Sequence, residues 1–194
     1  MGKEAGRSDP RTLRISHPAF SGTRREETLW FYRELLGMPV VLMQDNLDFP
    51  SEDHFFFHVG SDNFIAYFLP KPGADLSRYE RARPGSGWMD HLAIDVESDG
   101  LAGWAERLRA ANVEFEGPVD RGYERSVYFK DPNGVTIELL AWITQPPAGL
   151  PFAAVIKRAQ LLREARGASL IEDADIRAAV DELAPAMAQA ERTA

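Results

Sequence analysis

The sequence contains no cysteine among its 194 residues. Disulfide bonds, thiolate metal sites and cysteine nucleophiles are therefore excluded. Histidine is also scarce, with four in the whole chain: His17, His54, His58 and His91. An imidazole metal ligand or acid/base must come from these four positions.

No apolar run approaches the roughly 20 residues that span a bilayer, and the polar start of the chain has no apolar signal core. Acidic residues outnumber basic ones by 30 to 22, giving a formal charge of −8. Nucleic acids and anionic membranes attract basic surfaces, so neither is an expected partner. We expect a cytoplasmic, globular protein, since 44% of the residues are hydrophobic and 27% are charged.

The chain repeats itself. Segment 17–20, which reads His-Pro-Ala-Phe, aligns with segment 91–94, which reads His-Leu-Ala-Ile, and the same offset places Trp30 over Trp104. Each copy reads as a strand, an amphipathic helix and three further strands. The first helix is predicted from Thr23, as N-cap, to Met38.

The repeat predicts the domain organisation. A first βαββ module covers residues 12–70, a linker rich in proline and glycine covers 71–87, and a second βαββ module covers 88–145. Residues 150–190 have apolar residues at helical spacing and form a predicted C-terminal helical extension, with Asp173 or Asp175 as a helix cap. Such an extension typically covers an exposed sheet or forms a dimer seam.

Three residues are predicted to hold a metal. His17 and His91 occupy equivalent positions, so a pseudo-twofold relation between the copies would bring them together. Glu138 lies in the last strand between aliphatic neighbours, where a carboxylate is costly to bury unless it is paired or bound to metal. Two histidines and one carboxylate form the facial triad of non-haem iron enzymes. An exposed Glu138 on a polar sheet face is the alternative.

Several of these motifs resemble the vicinal oxygen chelate superfamily, which includes glyoxalase I, extradiol dioxygenases, acyl-CoA epimerases, fosfomycin-resistance enzymes and bleomycin-binding proteins. The motifs are His-x-Ala at both strand starts, the helix segment 30–37, and segment 127–138, which reads Val-Tyr-Phe-Lys-Asp-Pro-Asn-Gly-Val-Thr-Ile-Glu. The resemblance implies an α+β fold in which two βαββ modules form a curled, mixed-sheet half-barrel around a metal pocket. It also implies metal ligands on the first and last strands of each module.

The hairpin alignment places Ala66 opposite Glu138 in the repeat, and alanine cannot ligate a metal. Three protein ligands fit extradiol dioxygenases and also fosfomycin-resistance enzymes. The resemblance implies that Tyr128 hydrogen-bonds the substrate. However, residues 120–122, Asp-Arg-Gly, stand where the dioxygenase signature has a histidine.

His54 and His58 are the candidates for a catalytic acid/base. They lie four apart in one strand and therefore share a sheet face, which the alignment of Phe56 with Tyr128 identifies as the pocket face. Extradiol enzymes carry their acid/base histidine on this strand, and His58 resembles it best. Packing or strand-edge roles for both histidines remain the alternative.

The resulting hypothesis is a metal-dependent oxygenase with extradiol-like ring cleavage of a small aromatic diol. It requires one divalent metal per chain, Fe(II) by preference, with Mn(II) or Zn(II) as alternatives. The expected partners are a small molecule with vicinal oxygens and a second copy of the chain in a homodimer. Two other hypotheses stay open: a metal-dependent lyase, isomerase or thiol transferase at the same site, and a drug- or metabolite-binding protein without chemistry.

Overall fold

The computed structural model describes residues 15–46, 48–61, 63–76 and 89–191, and the side chains only as far as residue 185. The chain divides into two compact units, Met1–Ala82 and Arg83–Ala194. The predicted linker, residues 71–87, lies outside the described residues from position 77 onward.

The first unit is a four-stranded mixed sheet with one helical segment. Its elements are β1 (Ala19–Ser21), α1 (Arg25–Leu29), a π-helix (Trp30–Leu35), β2 (Val40–Asp45), β3 (Glu52–Gly60) and β4 (Asn63–Pro70). The strand order is β1-β4-β3-β2. β1 runs parallel to β4, and the other neighbours are antiparallel.

The second unit repeats this arrangement. Its elements are β5 (Leu92–Asp95), α2 (Leu101–Ala110), β6 (Phe115–Asp120), β7 (Glu124–Lys130), β8 (Thr136–Trp142), α3 (Phe152–Ala165) and α4 (Asp173–Glu191). The strand order is β5-β8-β7-β6, with β5 parallel to β8. The α+β class, the two mixed sheets and the C-terminal helices are confirmed. No described helix is both long enough and apolar enough to cross a membrane.

The first helix differs from its prediction. It begins at Arg25 and not at a cap on Thr23, and its second half is π-helical, ending at Leu35 before Met38. Leu36 donates its amide hydrogen to the carbonyl of Phe31, five residues back, over 2.9 Å. Tyr32 is fully buried, and Trp30 is 46% exposed.

Strand alternation separates two faces in each sheet. In β3 and β4 the odd positions are core: Phe55, Phe57, Ile65, Tyr67 and Leu69 are all buried. The Tyr32 ring packs on this face, 5.0 Å from the ring of Phe57. In β7 and β8 the odd positions Val127, Phe129, Ile137 and Leu139 are likewise buried. The even positions therefore lie on the opposite face of each sheet, and these carry the candidate functional residues.

Candidate functional site

In the second unit, His91 and Glu138 lie together. His91 directly precedes β5, Glu138 lies in β8, and the parallel register pairs Ala93 with Glu138. The His91 Nε2 atom is 3.0 Å from Glu138 Oε2. Glu138 is 3% exposed. The structure therefore brings two of the three predicted ligands together within this unit, and the carboxylate of the pair is buried.

The opposite side of the His91 ring is fixed by Asp90. His91 Nδ1 is 2.8 Å from Asp90 Oδ2. Because a carboxylate accepts, the ring donates from Nδ1, and Nε2 is the atom left for a ligand. A carboxylate holding the far nitrogen of a metal-binding histidine is a common way to orient that ring.

Tyr128 fixes the second oxygen of Glu138. Its register partner across β7 and β8 is Glu138, and its hydroxyl donates a hydrogen bond to Glu138 Oε1. The Tyr128 ring also meets the His91 ring edge-on, with centroids 6.1 Å apart. The Glu138 carboxylate therefore has one oxygen held by a phenol and the other turned toward an imidazole nitrogen.

This donor set fits a divalent metal. A lone pair on Nε2 and a carboxylate oxygen repel at 3.0 Å unless a proton or a metal ion lies between them. Two ligands at about 2.1 Å from an octahedral metal, and cis to each other, lie roughly 3 Å apart. Within either unit, the described residues contain no group of three or more potential ligands. His91 and Glu138 would thus supply two ligands, and a metal site with three protein ligands needs one further residue.

In the first unit, the His17 ring lies on the sheet face that carries the even-numbered residues of β3 and β4. Its ring centroid is 4.7 Å from that of Phe56, and its Nδ1 is 3.0 Å from Ser16 Oγ. The residue before the histidine again holds Nδ1, as Asp90 does for His91. Ala66 pairs with Ala19 in β1, just as Glu138 pairs with Ala93 in β5. The structural register therefore places an alanine at the position equivalent to Glu138, as the hairpin alignment predicts.

His54 and His58 have different surroundings. The His54 ring stacks on Phe68 at 4.4 Å, and its Nε2 is buried without a hydrogen-bond partner among the described residues. Burial, and then the nearby His17, lowers the pKa of His54 below its ordinary value of 6.5. His58 lies at the hairpin end, where its Nε2 is 2.7 Å from the Ser61 carbonyl oxygen. That nitrogen must be a donor, because a carbonyl only accepts.

Sequence reasoning missed three residues around His91, Tyr128 and Glu138. Asp90 is one of them, and its signal in the sequence is that Ser16 and Asp90 are polar residues directly before the two equivalent histidines. Arg121 donates from Nη2 to the Tyr128 hydroxyl over 3.3 Å. Glu124 is 7% exposed, and burial followed by the charge of Glu138 raises the pKa of its carboxyl.

A family model, the Glyoxalase/Bleomycin resistance protein/Dioxygenase superfamily, matches residues 14–139. Putative ring-cleaving dioxygenase MhqO of Bacillus subtilis (strain 168) is 28% identical over 132 residues, which cover 67% of this chain and 40% of MhqO. This chain therefore spans less than half the length of that relative.

Two solved structures are similar. A putative dioxygenase from Bacillus subtilis has a TM-score of 0.57 and 26% identity, covering 66% of this chain and 40% of the other. A mutant of the fosfomycin resistance protein FosX from Listeria monocytogenes, solved with Mn(II) and 1S,2S-dihydroxypropylphosphonic acid, has a TM-score of 0.51 and 20% identity. The match covers 70% of this chain and 95% of FosX. At that identity the likeness to FosX concerns the fold alone.

Proposed function

Because the chain belongs to the Glyoxalase/Bleomycin resistance protein/Dioxygenase superfamily, we propose that it is a metal-dependent oxygenase acting on a small molecule with two vicinal oxygens. The observation that carries the proposal is the 3.0 Å approach of His91 Nε2 to Glu138 Oε2, with the remaining atoms of both side chains held by Asp90 and Tyr128. Two relatives named as putative ring-cleaving dioxygenases support oxygen chemistry, and an aromatic diol is the substrate we propose.

His17 is the proposed third ligand. Support comes from the repeat, since His17 and His91 stand at equivalent positions and each has its Nδ1 held by the preceding side chain. With Nδ1 donating to the preceding side chain, both rings would offer Nε2 to a metal. Three protein ligands suit Fe(II), with Mn(II) or Zn(II) as alternatives. Such a metal would supply Lewis acidity and open positions for the oxygens of a chelating substrate.

The protein side chains would orient the substrate and carry protons. Tyr128 lies beside Glu138, so its hydroxyl can both hold the carboxylate and approach a substrate oxygen. His54 is the better candidate for the acid/base, because its neutral ring has a buried nitrogen without a partner among the described residues, whereas the corresponding nitrogen of His58 is occupied by Ser61. The aromatic rings of Phe56, Phe64 and Phe68 on the same face would supply an apolar wall.

A metal-dependent lyase, isomerase or thiol transferase is the second candidate. Its support is Arg121, which contacts Tyr128 and lies in segment 120–122, where the extradiol signature has a histidine. A cationic side chain at that place, without the histidine, can polarise a substrate oxygen without the use of dioxygen.

Oxygen consumption separates the two candidates. The purified protein would be reconstituted with Fe(II) under anaerobic conditions, and oxygen uptake would be followed against a panel of catechols and hydroquinones. We expect uptake that depends on both the diol and the metal, and its loss in Glu138→Gln. Turnover of a diol or related chelating compound without oxygen uptake would favour the second candidate. Absence of both metal binding and turnover would favour the remaining hypothesis, a drug- or metabolite-binding protein without chemistry.

A further inference from the structure

Arg121 is held in place by its own loop, between β6 and β7. The Arg121 amide donates to the Glu124 carbonyl over 3.0 Å, and the Gly122 amide donates to Asp120 Oδ1 over 2.8 Å. Gly122 has a φ of +86°, a left-handed conformation that favours glycine. The loop therefore fixes the backbone from which the Arg121 side chain extends toward Tyr128.

The guanidinium of Arg121 is only partly engaged. Nη2 reaches the Tyr128 hydroxyl at 3.3 Å, and Nε is 3.6 Å from Glu124 Oε1, too far for a hydrogen bond. The side chain is 49% exposed. Among the residues that the structure describes, Nη1 has no hydrogen-bond acceptor. Several N–H donors therefore remain open to a ligand.

The charge around Tyr128 depends on the proposed metal. Glu124 Oε1 lies 3.6 Å from Arg121 Nε, and the Glu138 carboxylate accepts from Tyr128 and faces His91. A divalent metal at His91 and Glu138 would bring two positive charges against the single negative charge of Glu138. With that metal bound, the metal and the Arg121 guanidinium together would favour an anion beside Tyr128.

We propose that Arg121 binds an anionic substituent, a carboxylate or a phosphonate, of the chelating substrate. The planar guanidinium can hold such a group through two parallel hydrogen bonds. The Tyr128 hydroxyl contacts both Arg121 and Glu138, so the anion site and the metal ligand lie on either side of one phenol. This inference rests on the proposed function of the site and narrows its substrate class to acidic chelating molecules.

Calorimetric binding of two probes to the metal-loaded full chain tests the inference. Catechol and protocatechuate share the vicinal hydroxyls, and protocatechuate alone carries a carboxylate. Titrations of Mn(II)-loaded wild type, Arg121→Gln and Arg121→Lys would be compared with Arg125→Gln. Arg125 is the matched control because it pairs with Asp120 at 3.0 Å and alternates to the other sheet face.

We expect wild type and Arg125→Gln to prefer protocatechuate by about tenfold or more, the usual range for a charge-assisted hydrogen bond. Arg121→Gln should bind both probes alike, and Arg121→Lys should keep part of the preference. Equal weakening of both probes in Arg121→Gln would show that Arg121 merely supports Tyr128, and would overturn the inference. Wild type without a preference, or without measurable affinity for protocatechuate, would overturn it as well.

Failure of the proposed anion site can be distinguished from failure of the proposed oxygenase function. An Arg121-dependent preference without any oxygen uptake would contradict the oxygenase and leave the anion site standing. Oxygen uptake with neutral diols, together with no preference for protocatechuate, would support the oxygenase and contradict the anion site.

Discussion

At the scale of single residues, the side chain before each candidate histidine ligand is the most informative feature. Ser16 and Asp90 contact the Nδ1 atoms of His17 and His91 at 3.0 Å and 2.8 Å. An imidazole whose Nδ1 is held presents Nε2 in one orientation, which reduces the entropy lost when a metal binds. The two units thus share a histidine and also the means of orienting it.

His54 and His58 are separated by a turnover experiment. His54→Gln should leave the metal content unchanged and slow oxygen uptake by roughly 10²- to 10⁴-fold, the usual range for loss of a general acid/base. His58→Gln is the matched control, and it should change the rate by less than about tenfold, because His58 contacts the Ser61 carbonyl in the hairpin. Comparable rates in wild type and His54→Gln, or a greater effect of His58→Gln, would contradict this assignment.

At the scale of elements, the C-terminal helices α3 and α4 form a small core of their own. Val155, Ala159, Ile176 and Ala179 are fully buried between them. Phe152 meets the Trp142 ring edge-on at 4.5 Å, and Tyr123 also packs against this cluster. The helices therefore contact the end of β8 at Trp142, and the role of the extension, as cover for the sheet or as a dimer interface, stays a prediction.

The turn between α3 and α4 is fixed by Asp175. Its two carboxylate oxygens accept from Arg166 Nε at 3.0 Å and Nη2 at 2.8 Å, and Oδ2 also accepts from the Glu172 amide at 2.9 Å. These hydrogen bonds lower the pKa of Asp175 below its ordinary value of 3.8. The carboxylate therefore stabilises the fold above the pKa of the unfolded chain, and this stabilisation is lost as the pH falls through the lower folded pKa.

We expect Asp175→Asn to melt several degrees below wild type at about pH 7, with the gap closing toward about pH 3. Circular dichroism melting curves across that range measure the effect. Glu182→Gln is the control, because Glu182 forms an exposed pair with Arg158 and should shift melting much less. A gap that stays constant with pH would mean that the lost interaction is not ionic.

At the scale of the whole molecule, most of the structural features that could be predicted from the sequence follow from the internal repeat. The offset between the two histidine motifs predicts equivalent first strands, and the registers of Ala19 with Ala66 and Ala93 with Glu138 confirm it. Superfamily membership is confirmed by the match over residues 14–139. These features are predictable because strand periodicity and turn chemistry are local.

Other features depend on contacts that sequence spacing does not encode. The π-helical turn at Trp30–Leu35 depends on how the helix packs, and the different surroundings of His54 and His58 depend on which nitrogen the hairpin occupies. Arg121 is distant from Glu138 in sequence and meets Tyr128 only through the β6–β7 loop. The contact between Arg121 and Tyr128 is therefore not predictable from sequence spacing alone.

The most direct test of the central claim, a metal held by His17, His91 and Glu138, is metal content per chain after Fe(II) loading and desalting. The account predicts about one metal per chain in wild type and in the control His58→Ala. It predicts nearly none in His17→Ala, His91→Ala and Glu138→Gln, because two ligands do not offset dehydration of the ion. Asp90→Ala should bind the metal roughly 10- to 100-fold more weakly, as expected for loss of a group that orients a ligand. Full metal content in His91→Ala, or none in wild type, would contradict the account.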